Sequence, residues 1–516
     1  MARATKVVHN LYRDSVSLMQ LSDRLSGLAG VQRASAGMAT ASNLDLLREA
    51  GLLVGTVQAG PNDVLIALQG KSQAALNAAL LQAEVQLRQD PGLADAESEP
   101  SLMAPRSIEM AVCADENLAL ISTPGEYAAA EAMKALHCGL NVMLFSDNVT
   151  LADELQLKKL ARDKNLLLMG PDCGTAIING VPLGFANVVR RGAIGCVAAS
   201  GTGLQQVSCL IDQLGAGISQ AIGTGSHDLH SVVGGITMLQ GIKALVNDAA
   251  TQVLVLISKP PSPVVAGTVL QAASRAGKPV VVCFLGADPA TISGENLHAM
   301  ATLEDAAYAA VALLKGRKPV QRRRVAQAVA AIRFAPAQRY VRGLYSGGTF
   351  CHEAALLLGR ALGQIWSNTP QQPKDQLADV WCSREHTVLD LGDDLFTRGR
   401  PHPMIDHRLR NERIAQEAAD PQVAVILFDI VLGHGAHRDP AGQIVPVLQL
   451  ARQQKASARH KLAFVGFVCG TPADPQDLRA QTEALSAAGV MLASSNAAAV
   501  RLAASLVAGR AAARSR

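Results

Sequence analysis

The chain has 516 residues, which at roughly 150 residues per domain points to about three domains rather than one core. Hydrophobic residues make up 49% of it and aromatics only 3%, so the core must be built from Ala, Val, Leu and Ile, as in α/β layers with buried parallel strands. A net charge of +4 with so few aromatic platforms excludes nucleic-acid binding, no apolar run reaches the length of a membrane span, and a charged fraction of 17% implies surface buried against partners.

The first 14 residues carry Arg3, Lys6 and Arg13 without an apolar stretch, so they are not a secretory signal and the chain is expected in the cytoplasm. VVHNLY is predicted as a strand, followed by a helix through Leu18, Leu21 and Leu25 and a second strand, GVQRASAGMA. Val64, Ile66 and Leu68 alternate in a third strand, and a helix runs from Ser72 to Arg88. This order suits an α+β ferredoxin-like module over residues 1–90, with the acidic, Pro-containing stretch 89–106 as a linker.

From 108 the period changes. LALIS (118–122), a helix Glu126–His137, VMLFS, a helix Leu151–Lys164 and the strand of LLLMGPDCGT form one α/β unit over 108–190. A second, over 191–316, runs from AIGCVAAS (193–200) through a helix ending at Leu214 and the strands VLVLIS (253–258) and PVVVCFLG (279–286) to a helix Leu303–Lys315. The basic stretch 316–338 is a second linker. The third unit, 340–516, passes from GLYSGGTF through HTVLDLGDD, VAVILFDIVLG and LAFVGFV to a helix Ala497–Leu506. Such alternation means parallel sheets with right-handed crossovers. The nine cysteines contain no CxxC pair, so neither a disulfide framework nor a metal site is indicated.

Ligands of open parallel sheets lie beyond the carboxyl ends of the strands, against helix N-termini that attract anions. Four loops qualify. In AASGTG, a buried strand runs into Ser200, Gly201, Thr202 and Gly203 and then a helix, which makes either a phosphate cradle or a plain capped turn. TPGEY repeats the pattern, with Thr123 as N-cap, Pro124 at the first helical position and Gly125 following, and ordinary capping accounts for it equally well. The stretch LDLGDDLFTRGRPHPMID gathers Gly392, Asp393, Asp394, Arg398, Arg400, His402 and Asp406, more functional groups than a turn needs. LGHGAHRDPAG places His434 and His437, with Arg438 and Asp439, after a buried strand, where imidazoles can act as acid, base or nucleophile.

The string MGPDCGTAIINGVPLGFANVVRRGAIGCVAASGTGLQQV, followed by GAGISQAIGTGSHDL, resembles the α subunit of succinyl-CoA synthetase and other NDP-forming acyl-CoA synthetases over about residues 118–315. The C-terminal third, from VLDLGDD to FDIVLGHGAHRD and SSNAAA, is similar to the ligase domain that ends the β subunit of those enzymes. The whole arrangement resembles the FdrA family, of which at least one member is assigned as a subunit of oxamate carbamoyltransferase. The resemblance implies a Rossmann-like domain and two flavodoxin-like ligase domains beside the N-terminal module. It also implies two facing helix ends that hold a phosphorylated group, one at Ser200, Gly201 and Thr202 and the other at Gly392, Asp393 and Asp394.

Three features depart from the synthetases. The Gly-rich histidine element expected after FLGADP is replaced by ATISGENLHAM, where His298 is a weak substitute. The opening βα unit that binds CoA phosphates is missing before LALIS, and no ATP-grasp domain is present. The expectation is therefore transfer of an acyl or carbamoyl group from its phosphate to a small carboxylate or amide acceptor, within a complex of protein subunits that can include further copies of this chain. Ser200 to Gly203 would hold phosphate, and Arg398, Arg400 and His402 or His437 would polarise the carbonyl. CoA stays open as a cofactor. The alternatives are an acyl-CoA synthetase subunit phosphorylated on His434 or His437, and a non-catalytic regulatory subunit.

Overall fold

A computed structural model describes residues 2–11, 13, 15–53, 55, 57–88, 105–113, 115–319, 332–397, 400–457 and 461–514. Both linkers fall largely outside these residues.

Strands β1 (Ala2–Val8), β2 (Val31–Met38) and β3 (Val64–Gly70) form an antiparallel sheet in the order β1-β3-β2. The alternation read in β3 has a reason: Val64, Ile66 and Leu68 face Leu18, Leu21, Leu25, Leu76 and Ala83 of the helices Ser15–Ser26 and Gln73–Arg88. Leu65 and Ala67 face the opposite way, toward Leu47, Leu52 and Leu53. β1 and β2 run parallel on either side of the antiparallel β3, which is a split βαβ arrangement with three of the four strands of a ferredoxin-like fold among the described residues. The first strand lies earlier than VVHNLY.

β4 (Leu118–Ile121), β5 (Asn141–Leu144) and β6 (Leu168–Met169) form a small parallel sheet in chain order, with helices Gly125–His137 and Leu151–Asp163 between them. Seven strands follow in one sheet. β7 (Thr175–Ile178) and β8 (Val181–Gly184) are an antiparallel hairpin, turned by Asn179 and Gly180 at φ 52° and 82°, the left-handed pair of a two-residue turn. β9 (Arg191–Ala199), β10 (Ile218–Gly223), β11 (Val253–Ser258), β12 (Val280–Phe284) and β13 (Leu297–Ala299) are parallel. The sheet order is β13-β12-β11-β9-β10-β7-β8. The last sheet is wholly parallel: β14 (Tyr340–Tyr345), β15 (Thr387–Asp390), β16 (Val423–Val431), β17 (Ala463–Cys469) and β18 (Met491–Ala493), in the order β15-β14-β16-β17-β18.

Counted from its own first strand, each of these two parallel arrays has the flavodoxin-like order 2-1-3-4-5, which reverses between its first and third strands. The switch points therefore lie between β9 and β11 and between β14 and β16. One apolar cluster runs through both domains, from Ile194, Leu204 and Val281 to Tyr345, Phe350 and Phe467. Polar braces cross the same interface. Asp474 accepts from the Asn187 side chain at 2.8 Å and the Val188 N–H at 2.7 Å, and Glu353 accepts from the Leu303 N–H at 2.9 Å.

Candidate functional site

β9 ends at the carboxyl edge of its sheet, and Ser200 leads into the helix Gly201–Gln213. The Ser200 Oγ accepts from the Gly203 N–H at 3.0 Å, so the hydroxyl caps that helix. The second domain repeats the motif: β14 ends at Tyr345, and Ser346 and Gly347 lead into the helix Gly348–Leu362. The two helix ends meet, with Ser200 Oγ 2.7 Å from Thr349 Oγ1. A Cβ on Gly347 would come within 2.8 Å of Thr202 Cγ2, so glycine is what lets the termini touch. Each helix begins with N–H groups that lack intrahelical partners and carries the positive end of its dipole there. The Thr202 hydroxyl is buried at this junction with no hydrogen-bond partner among the described residues. A buried hydroxyl left without a partner can donate to a ligand group or water placed beside it.

Asp429, near the end of β16, holds the second turn from behind. Its carboxylate accepts from the Ser346 N–H at 2.9 Å, the Ser346 hydroxyl at 2.8 Å and the Gly347 N–H at 3.0 Å. Arg410 pairs with it at 3.1 Å, both side chains being fully buried, and also reaches His407 Nδ1 at 2.7 Å. A second carboxylate, Asp390, lies at the end of β15. It accepts from the Gly392 N–H at 3.0 Å, and a Cβ on Gly348 would come within 2.4 Å of its Oδ2. Burial pushes the Asp390 carboxyl up to about 6, against the pull of nearby Lys259. Ser258 pairs with Ala199 across β11 and β9, so Lys259 stands one step beyond, beside Ser200 at the switch point.

The structure gathers only part of what the sequence pointed to. Ser200, Gly201, Thr202 and Gly203 form the first helix end. The end that touches it is Ser346–Thr349, whereas Asp394 opens a helix of only four residues. Gly392 lies alongside, its Cβ position 2.8 Å from the Ser346 carbonyl and 2.7 Å from His402 Nε2. His402 Nδ1 accepts from the Met404 N–H at 3.2 Å, so the proton of the neutral ring sits on Nε2. The ring is largely buried, and this desolvation holds it down to about 4. Phe185 packs against it at 5.7 Å. The His437 ring packs at 5.4 Å from that of His407, and exposed His434 donates its N–H to the Ala186 carbonyl. Arg400 lies over the Trp381 ring at 5.9 Å, and Arg398 is outside the described residues. Thr123 and Gly125 belong to the small parallel sheet. Pro124, not Thr123, occupies the N-cap, and a Cβ on Gly125 would lie 2.3 Å from the Asp147 carbonyl.

The residues that sequence reasoning passed over are Gly347, Gly348, Thr349, Asp390, Asp429 and Lys259. YSGGTF had the same grammar as ASGTG, a buried strand running through Ser and Gly into an apolar helix, and could have been recognised by it. Asp429 and Asp390 are acids inside apolar strands, which only tertiary partners explain.

Comparisons with known proteins match three parts of the chain, and the CoA-binding match falls on the seven-stranded sheet rather than on the small sheet of residues 118–169. A family described as CoA-ligase matches residues 344–506, a CoA binding domain matches 190–286, and the "AllF, heavy metal-associated domain" matches 1–101. Residues 1–101 contain no cysteine, so that family's name carries no thiolate site to this chain. The subunit alpha-2 of the ADP-forming succinate–CoA ligase of Trichomonas vaginalis is 30% identical over 154 residues, 28% of this chain and 47% of that protein. The chain thus spans about half of that relative. The crystal structure of PH0766 from Pyrococcus horikoshii OT3 superposes at a TM-score of 0.35 and 12% identity over 80% of this chain and 88% of that one, too loosely to carry an argument. No helix among the described residues is long and apolar enough to cross a membrane. YahF of Escherichia coli (strain K12) is 44% identical over 495 residues, 94% of this chain and 95% of its own length, and the chain belongs to the YahF family, whose architecture here joins a CoA-binding and a CoA-ligase domain.

Proposed function

We propose that the protein is an FdrA-type transferase that takes the acyl or carbamoyl group from its phosphate, acting as a subunit of a larger complex. The observation that carries this reading is the contact of two helix N-termini, Ser200 to Thr349 at 2.7 Å, beside the buried, unpartnered Thr202 hydroxyl. An anion at that junction would gain two dipole ends and a hydroxyl donor. His402, with its proton on Nε2 toward Gly392, can donate to a carbonyl oxygen as a neutral imidazole. Arg398, Arg400 and His437 remain candidates for the same task, Arg400 on condition that it leaves Trp381. A mixed anhydride such as carbamoyl phosphate needs neither a phosphohistidine nor nucleotide activation to transfer its acyl group.

CoA fits the small parallel sheet poorly. Its strand order β4-β5-β6 never reverses, so it offers no switch-point crevice, and Asp147 and Asn148 carbonyls occupy the space before Gly125. A CoA site would have to use the seven-stranded sheet, of which the CoA-binding match covers β9 to β12.

The second reading, an acyl-CoA synthetase subunit whose ATP-grasp part comes from partner chains, rests on the CoA-ligase match. Calorimetry separates the two. Saturable binding of carbamoyl phosphate, weakened in Thr202→Val, supports the transferase. Binding of CoA alone, together with acid-labile label from ATP on His434 or His437, establishes the synthetase. If His437→Ala leaves the activity of the assembled complex intact, His437 has no part in the chemistry.

A further inference from the structure

A cluster outside the helix-end junction carries a second inference. Glu154 and Lys158 on the helix Leu151–Asp163 and Asp228 after β10 are all buried, with side-chain exposures of 1%, 0% and 0%. Lys158 Nζ lies 2.7 Å from Asp228 Oδ1 and 2.9 Å from Glu154 Oε1, and donates to the Thr224 carbonyl at 2.9 Å. Asp228 also accepts the Thr237 and Met238 N–H groups at 3.1 and 2.9 Å. One lysine cannot neutralise two buried carboxylates, and an uncompensated buried charge is costly. The other basic group in reach is His227, whose Nδ1 is 3.7 Å from Glu154 Oε2, an oxygen with no hydrogen bond among the described residues. The His227 side chain is 56% exposed.

With Nδ1 turned to Glu154, Nε2 has no hydrogen bond among the described residues, and His227 itself follows the carboxyl end of β10. There the turn after β10 presses on the turn after β6: a Cβ on Gly225 would lie 2.1 Å from the Pro171 carbonyl. Asp172, in the left-handed region at φ 54°, stands in this crevice with Ser226 hydrogen-bonded to its carboxyl. Lys259 approaches it from the end of β11, exposed and without an ion pair among the described residues. The groups facing His227 are thus Glu154 and Lys158 behind it and Asp172 beside it. Glu154 raises the imidazole above its ordinary 6.5.

We infer that His227, positioned by Glu154, is the donor of a second oxyanion subsite at the ends of β6, β10 and β11, which takes a carboxylate or phosphate group through Nε2 with Lys259 as the accompanying cation. The inference does not depend on the transfer reaction proposed above.

The test is an NMR titration of the full-length protein with 13Cε1-labelled histidine, the His227 signal assigned by His227→Gln, using inorganic phosphate and acetate as probes. His227 should titrate above 6.5, and Glu154→Gln should lower its midpoint toward that value. A bound oxyanion must raise the His227 midpoint, because ligand and proton favour each other reciprocally. A response to phosphate alone assigns the phosphate group, and a response to acetate assigns the carboxylate. His227→Gln, a change at a half-exposed side chain, should weaken the responding probe about tenfold at pH 6.5 and leave it unchanged at pH 9. The inference is overturned if neither probe moves the midpoint, if His227→Gln binds like the wild type, or if Thr202→Val abolishes the His227 response, which would make His227 a mere sensor of the helix-end ligand.

Discussion

Replacing Gly347 by Ala tests whether the contact of the two helix ends matters. The new methyl would lie 2.8 Å from Thr202 Cγ2, 3.0 Å from Thr202 Oγ1 and 2.8 Å from Phe350 Cδ2. Ordinary carbon contacts need about 3.5 Å or more, so the termini must part by roughly 0.7 Å. Opening of that size would stretch the 2.7 Å Ser200–Thr349 contact to about 3.4 Å, past the range of a hydroxyl hydrogen bond. Overpacking of this kind costs about 1–3 kcal/mol. Calorimetry with sulfate or carbamoyl phosphate should show affinity reduced at least tenfold, and thermal unfolding should begin earlier. Gly267→Ala is the control: it sits in an exposed helix interior with nothing within 4 Å of its Cβ position, so Ala there should stabilise by about 0.5–1 kcal/mol and leave binding alone. If Gly347→Ala binds and melts like the wild type, the helix ends do not form the anion site.

Three further outcomes are expected. Asp390 loses its charge as pH falls through about 6, so sulfate, whose own charge is constant, should bind about tenfold more tightly at pH 5 than at pH 7.5; Asp390→Asn should remove most of that dependence, as isothermal titration across the range will show. Asp429→Ala leaves Arg410 buried without its carboxylate and frees the Ser346–Gly347 turn, which should cost about 3–5 kcal/mol by denaturant unfolding, far more than Asp393→Ala, which loses one exposed hydrogen bond to the Leu395 N–H. Burial raises Glu353 from 4.5 to about 7. A carboxyl raised on folding favours the folded state while protonated, so this contribution is full below about pH 4.5 and is lost as pH rises through 7. The difference is on the order of 3 kcal/mol, and Glu353→Gln should flatten the fall in melting temperature between pH 5 and 8.

The layers were legible because parallel strands buried on both faces are plain aliphatic runs: VLVLIS is a strand over the residues read, and the units built from VAVILFDIV and LAFVGFV have the expected parallel order. What escaped was structure signalled more weakly. β10 (ISQAIG) carries a Gln and a Ser inside the strand, and the β7–β8 hairpin breaks the parallel rhythm although its Asn179-Gly180 turn was in plain view. The site was half legible for the same kind of reason. Ser200 and Thr202 announce themselves by local capping grammar. Their partner Thr349 lies 149 residues away from Ser200, and only the packing of one domain on the other brings it there. Charged, Gly-rich loops such as the one bearing Arg400 drew attention by composition, yet that guanidinium rests on Trp381.

Both helix ends belong to one polypeptide. A junction made between separate subunits dissolves on dilution, at a concentration set by their dissociation constant, whereas here each end sees the other at the fixed effective concentration that the intervening chain imposes. Shared burial of Tyr345, Phe350 and Ile194 in one core then makes the junction fold as part of the domain pair. Its integrity should therefore be independent of protein concentration, and loss of activity on dilution of any complex would report the departure of another subunit rather than the opening of this site.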